Sequence, residues 1–83
     1  MLRAAVVGAG ILGTAHAENL AAHPLVDLEA IADVRIEAAS QLAARLGAQP
    51  YDDLAMLLKE HPVDVVVIAT PDPYHRQPAM TAI

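Results

Sequence analysis

Residues Gly8 to Leu20 read GAGILGTAHAENL, and the spacing of the three glycines in this stretch decides the fold. Gly8, Gly10 and Gly13 lie between a short apolar run, Leu2 to Val7, and a run of helix formers, Ile11 to Ala22. A strand that ends in Gly-x-Gly-x-x-Gly and passes straight into a helix has a physical reason for each glycine. Gly8 permits the tight turn, Gly10 lets a pyrophosphate approach the main chain, and Gly13 lets the helix pack closely on the strand. The free N–H groups and positive end of that helix then attract phosphate.

Working outward, the chain alternates between strand and helix patterns. The first helix stops at His23-Pro24, because proline disfavours helix for the residue before it. Leu25 to Ala32 is a second strand ending at Asp33. Arg35 to Leu46 is an amphipathic helix with Ile36, Ala39, Leu42, Ala43 and Leu46 on one face, followed by Gly47 as its stop. Ala48 to Tyr51 suits a short strand near an edge. Asp52 or Asp53 caps a third helix that points Leu54, Leu57 and Leu58 inward and ends at His61-Pro62. Val63 to Ala69 contains Val65-Val66-Val67-Ile68, apolar on both faces, as a central strand covered by helices requires. Thr70 to Pro73 reads as a loop at its carboxyl end, and Tyr74 onward as a fourth helix.

Strands alternating with helices imply right-handed crossovers and a parallel sheet. The expected fold class is α/β, a Rossmann-type doubly wound parallel sheet of strand order 3-2-1-4, with residues 1–83 forming the first portion of a truncated nucleotide-binding domain. In that order the fourth strand lies beside the first, and the crevice between them is lined by Gly8 to Gly13 and Thr70 to Pro73. The last strand, lacking its usual neighbours, would present an exposed apolar edge through which chains self-associate.

Composition narrows the partners. With 83 residues, 55% of them hydrophobic and 18% charged, the chain is one small ordered domain and not a disordered segment. Its net charge is -5, and the five basic residues, Arg3, Arg35, Arg45, Lys59 and Arg76, are scattered, which argues against nucleic acid and anionic membranes. A small soluble ligand is the expected partner. The lack of cysteine suits a reducing compartment, no apolar run reaches the ~20 residues that span a bilayer, and the expected location is cytoplasmic.

Asp33 stands twenty positions after Gly13 at the end of the second strand. There it can accept hydrogen bonds from both hydroxyls of an adenosine ribose, while its charge repels a 2'-phosphate, which favours NAD. Arg35 pulls the other way: a guanidinium at this point stacks on adenine or pairs with the 2'-phosphate of NADP, or is simply a solvated first-turn residue. Two prolines stiffen Thr70-Pro71-Asp72-Pro73, so main-chain groups and the Thr70 hydroxyl can face the nicotinamide half of a cofactor. His75 sits at the mouth of that crevice as a ligand contact or a helix-start residue, and Asp72 reads as a cap.

GAGILGTAHAENLA, AIADVR and VVVIATPDPYH together resemble the amino-terminal half of the nucleotide-binding domain in the Gfo/Idh/MocA oxidoreductases, above all the inositol dehydrogenase branch. The resemblance covers essentially the whole chain. It implies hydride transfer between a sugar or polyol carbon and a pyridine nucleotide. By the same likeness Gly8, Gly10, Ile11, Leu12 and Gly13 lie along the pyrophosphate and nicotinamide side, Asp33 meets the ribose, and Thr70, Pro71 and His75 border the nicotinamide. His16 resembles a family position on the first helix, where packing and hydrogen bonding to neighbours explain it. His23 and His61 read as local capping or exposed residues and not as metal ligands.

Family members continue into a Glu-Lys-Pro motif and a second, mainly antiparallel domain, both beyond Ile83. Within these residues no Lys-Tyr, Ser-His-Asp or Cys-His arrangement replaces the missing groups, and Lys59, the only lysine, reads as a solvated charge on the third helix. No catalytic residue and no metal site is therefore assigned, and the 83 residues alone are expected to be inactive. The alternatives are a non-catalytic dinucleotide-binding module completed by another chain, and a structural fragment without activity.

Overall fold

A computed structural model of the chain describes residues 1–69 and the backbone of residues 79–82. Its elements are β1 (Leu2–Val7), α1 (Ile11–Ala22), β2 (Val26–Ala32), α2 (Ile36–Leu46), β3 (Gln49–Tyr51), α3 (Leu54–Glu60), β4 (Val65–Ile68) and β5 (Ala79–Ala82). The strands form one sheet in the order β3-β2-β1-β4-β5. The first four are parallel, in the expected order 3-2-1-4, and β5 runs antiparallel to β4.

Side chains alternate across the sheet and sort the helices into two layers. Val6, Leu28, Ile31 and Val67 face Ala17 of α1 and Ala39, Leu42 and Ala43 of α2. Ala5, Ala30, Ala32 and Val66 face Leu57 of α3. The double winding thus follows from the apolar runs: a strand that is hydrophobic on both faces needs cover on both. No polar side chain is buried among the described residues, so this small core rests on aliphatic packing alone. On α2 the expected inward face holds at Ala39, Leu42 and Ala43, with Leu46 packed against it, whereas Ile36 in the first turn lies at the rim, exposed.

The β1–β2 ladder slips by one residue. Ala4 pairs with Leu28 but Ala5 pairs with Ala30, so Glu29 is an extra residue on β2. The bulge keeps Leu28 on the α1–α2 side together with Ile31, three positions on, which an unbroken two-residue alternation would forbid. Glu29 projects toward His61, whose Nδ1 lies 3.4 Å from its carboxylate. His61 in turn meets the ring of Tyr51 edge-on at 5.7 Å, and the Tyr51 hydroxyl donates to Glu60 at 2.8 Å.

Local signals end the elements as the residues require. Asp53 caps α3 by accepting from the Ala55 N–H at 2.8 Å. Gly47 closes α2 in the left-handed conformation, φ 75°. His23 accepts from the Leu25 N–H at 3.1 Å, the local role expected of it. Lys59 is exposed on α3, also as expected.

Two expectations are corrected at the carboxyl end. Ala79–Ala82 is a strand and not part of a fourth helix, and the stretch 70–78 lies outside the described residues. β4 consequently has no exposed edge, because β5 pairs with it from Val65↔Ala82 to Ile68↔Ala79. The physical reason is that unpaired N–H and C=O groups along an apolar strand are costly, and an adjacent strand satisfies them. The outer strands are β3 and β5, of three and four residues, and short edges resist chain-to-chain pairing.

A close contact joins α1 to the end of β1. A Cβ added at Gly13 would overlap the carbonyl oxygen of Gly8 and lie 2.6 Å from its carbonyl carbon, both of them backbone atoms that cannot turn aside. Gly13→Ala is expected to lose about 3 kcal/mol or more of stability, read from chemical denaturation, with the α1–β1 contact broken. A melt within a degree of the unsubstituted chain would show that the helix shifts freely, contrary to this packing.

Candidate functional site

The glycine turn lies at the carboxyl end of β1 and is fixed from three directions. Gly8 adopts φ 106°, a region open to glycine and strained for other residues, and its N–H donates to the Ala32 carbonyl at 2.7 Å. Gly13 seats the helix against it. Ala9 donates its N–H to Oδ2 of Asp33 at 2.7 Å, tying the turn to the end of β2.

Gly10 behaves differently. It is the residue before α1, and a Cβ added there would have no neighbour within 4 Å. Nothing in the described chain requires glycine at this position, but a molecule lying against the backbone would. The N–H groups at the start of α1 have no acceptor among the described residues. The first helical hydrogen bond runs from Thr14 to the Gly10 carbonyl at 2.8 Å, which leaves the N–H groups of Ile11, Leu12 and Gly13 without a helical acceptor. No side chain caps α1 and its first turn carries no acid, whereas α2 has Glu37 and α3 has Asp53 at this end. The positive end of α1 is thus left uncompensated by its own helix.

Asp33 is the junction of the site. Its backbone N–H donates to the Tyr51 carbonyl at 2.9 Å, linking β2 to β3. Its carboxylate accepts from Ala9 through Oδ2 and from the Arg35 N–H through Oδ1 at 2.8 Å, and the Arg35 Nε lies 3.5 Å from the same Oδ1. The Asp33 side chain is only 9% exposed, the Arg35 side chain 67%. Burial alone would push the Asp33 carboxyl up. The N–H donors of Arg35 and Ala9, with the charge of the Arg35 guanidinium, outweigh burial and hold it below the usual aspartate range.

An open groove of about 540 Å³ runs beside the turn between α1 and α2, lined by Gly10, Ile11, Thr14, Glu18, Arg35 and Ala38 among others. Ile11, one of the lining residues, is 91% exposed. Glu18 is held at one end by Arg45 of α2 at 2.6 Å.

The structure therefore brings Gly8, Gly10, Ile11, Gly13, Asp33 and Arg35 together around one turn, with Leu12 half-exposed at the helix start. Thr70, Pro71, Asp72 and His75 lie outside the described residues. His16 is half-buried on α1 and makes no side-chain hydrogen bond among the described residues, so the hydrogen bonding expected of it is not found there. No group of three potential metal ligands occurs among the described residues. Sequence reasoning missed Ala9, the donor that connects turn and acid. The available signal was Asp33 itself, because aspartates before a helix commonly bond to nearby backbone N–H groups.

A parallel sheet of this order, with a glycine turn opening an uncapped helix beside the acid that ends β2, defines a Rossmann-type nucleotide-binding domain. A family model described as "Oxidoreductase family, NAD-binding Rossmann fold", that of Gfo/Idh/MocA, matches residues 2–83, and the chain belongs to this family. Inositol 2-dehydrogenase of Rubrobacter xylanophilus is 44% identical over 71 residues, 84% of this chain and 20% of its own length. GenD2 from gentamicin A biosynthesis, solved in complex with NAD, matches with TM-score 0.80 and 43% identity over 84% of this chain and 20% of its own. KijD10, a 3-ketoreductase from Actinomadura kijaniata solved with NADP, matches with TM-score 0.76 and 30% identity over 84% of this chain and 23% of its own. The chain thus spans about a fifth of the length of these relatives.

The Asp33 carboxylate makes a testable contribution to stability. A carboxyl whose folded value lies below its unfolded value of about 3.9 stabilises the fold fully above that value and loses the contribution as pH falls through the folded one. Thermal melts between pH 6 and pH 2.5 should show stability falling below about pH 4, with a shallower fall in Asp33→Asn. Asp64, held low by the Arg3 N–H and guanidinium, titrates in the same direction, so the difference between variant and unsubstituted chain carries the Asp33 share. Identical acid profiles would mean that the Ala9 and Arg35 hydrogen bonds contribute nothing.

Proposed function

We propose that residues 1–83 form the amino-terminal portion of the nucleotide-binding domain of an NAD(P)-dependent oxidoreductase that transfers hydride between a sugar or polyol, inositol-like in kind, and the nicotinamide. Gly10 carries this reading: it is a glycine for which the packing of the described residues gives no reason, beside three N–H groups that have no acceptor among those residues. The family match and the inositol 2-dehydrogenase relative support the reaction class.

In this reading Ile11, Leu12 and Gly13 give their N–H groups to the pyrophosphate, and Gly10 leaves room for it against the backbone. Asp33 receives the ribose hydroxyls on the lone pairs that its two backbone bonds leave free. Thr70, Pro71 and His75 border the nicotinamide, as the family resemblance implies. The bound cofactor supplies or takes up the hydride. Asp33, the carboxylate beside the turn, is engaged by Ala9 and Arg35 and assigned to the ribose, so this reading gives the accompanying proton to groups in the part of the relatives' length that this chain does not span.

NAD is favoured over NADP. The Asp33 charge repels a 2'-phosphate, and the Arg35 guanidinium that would attract one is drawn toward the same carboxylate. Titration by cofactor fluorescence is expected to show tighter binding of NADH than of NADPH. Gly10→Ala is expected to weaken NADH by about tenfold or more while leaving the melting temperature within a few degrees, since the new methyl group meets no protein atom. Folded protein that binds no NADH, or that ignores the substitution, would contradict a dinucleotide role for the turn.

A further inference from the structure

Asp33 faces two ways, and only one of them is toward a ligand. Its carboxylate has little free surface, and the bond from Oδ2 to the Ala9 N–H, at 2.7 Å and 24 residues away in sequence, reaches into the middle of the glycine turn. Among the described residues this is the only side-chain acceptor on Gly8 to Gly13; the other side-chain bond there, Thr14 Oγ1 to the Ala9 carbonyl at 3.4 Å, is long and local. On one side of Ala9 stands Gly8 in its left-handed conformation, and on the other stands Gly10, whose carbonyl begins α1. A peptide between two glycines has little intrinsic stiffness, so what fixes its N–H fixes the turn.

We propose that Asp33 is a positioning residue for the phosphate cradle: through Ala9 it holds the glycine turn in its receiving shape, so that one carboxylate serves both the ribose and the pyrophosphate. The inference rests on the dinucleotide reading above. The bond joins two groups of the chain itself, so in this proposal the cost of ordering the turn falls on folding and not on the ligand. Arg35 completes the device, because its N–H occupies Oδ1 and keeps the carboxylate from rotating away from Ala9.

The two roles of Asp33 make opposite predictions for a ligand that lacks ribose hydroxyls. If the carboxylate acts only on the ribose, its removal takes a negative charge away from an anionic ligand, and 2',3'-dideoxy-ADP binds equally well or more tightly. If it holds the turn, dideoxy-ADP binds more weakly. We expect Asp33→Ala to weaken dideoxy-ADP by about tenfold, as loss of a hydrogen bond to a charged group implies, and ADP by more. Asp33→Asn, which retains one amide oxygen as an acceptor, is expected to fall between.

Nuclear magnetic resonance supplies a readout that needs no ligand. The Ala9 amide proton should resonate at low field in the unsubstituted chain and move upfield in Asp33→Asn, with Gly8 and Gly10 shifting too and the α3 amides unmoved. Loss of affinity confined to ADP, or an Ala9 resonance indifferent to Asp33→Asn, overturns the positioning role and leaves the dinucleotide reading standing. Failure of the folded, unsubstituted chain to bind either nucleotide overturns both.

Discussion

The absence of one side-chain carbon, at Gly13, sets the geometry on which the rest of the molecule depends. Because α1 meets the Gly8 carbonyl with nothing between, the helix starts at the carboxyl end of β1 and its first N–H groups open over the sheet. Its buried residues are Gly13 and Ala17 only, so it lies close against β1 and β2. A bulkier seam would lift α1 away and separate its free N–H groups from the acid on the neighbouring strand. On the proposed function, the phosphate cradle is a by-product of tight packing, which joins stability to binding in one contact.

Charge is then placed sparingly around that contact. The amino end of α1 has no acid of its own, and Asp33, the nearest carboxylate in its hydrogen-bond network, is spent on Ala9 and Arg35. Elsewhere the ion pairs sit at the periphery, Arg3 with Asp64 and Arg45 with Glu18, all roughly half-exposed, where each contributes little. Aliphatic burial holds the sheet together, and the partly buried polar contacts lie in two places, with Asp33 and Thr14 at the glycine turn and in the Glu29–His61 pair beside α3.

Much of this was legible from residue patterns because it is local. The Gly8-x-Gly10-x-x-Gly13 spacing, the stop at Gly47 and the apolar Val65 to Ile68 run report turn, cap and central strand within a few residues of themselves, and strand order 3-2-1-4 follows from the alternation they punctuate. Ala79–Ala82 reads as helix because Ala and Met favour helix locally, whereas its pairing with β4 is set by distant backbone groups. The inward bonds of Asp33 escaped for a related reason: a sequence shows that an acceptor is present, but its donor stood 24 residues away. Thr70, Pro71 and His75 remain as the resemblance assigned them, outside the described residues.

The extra residue in β2 gives the strand a second property. Upstream of Glu29, β2 keeps one register with β1, and downstream it keeps another, so the two halves are phased independently. A chain-length change before the bulge can be taken up by closing or shifting it, while Ala30 to Ala32 keep their partners and Asp33 keeps its height above the sheet. The bulge works as an expansion joint between the two halves of β2, so that the alignment of the acid with the turn is set by the downstream register alone.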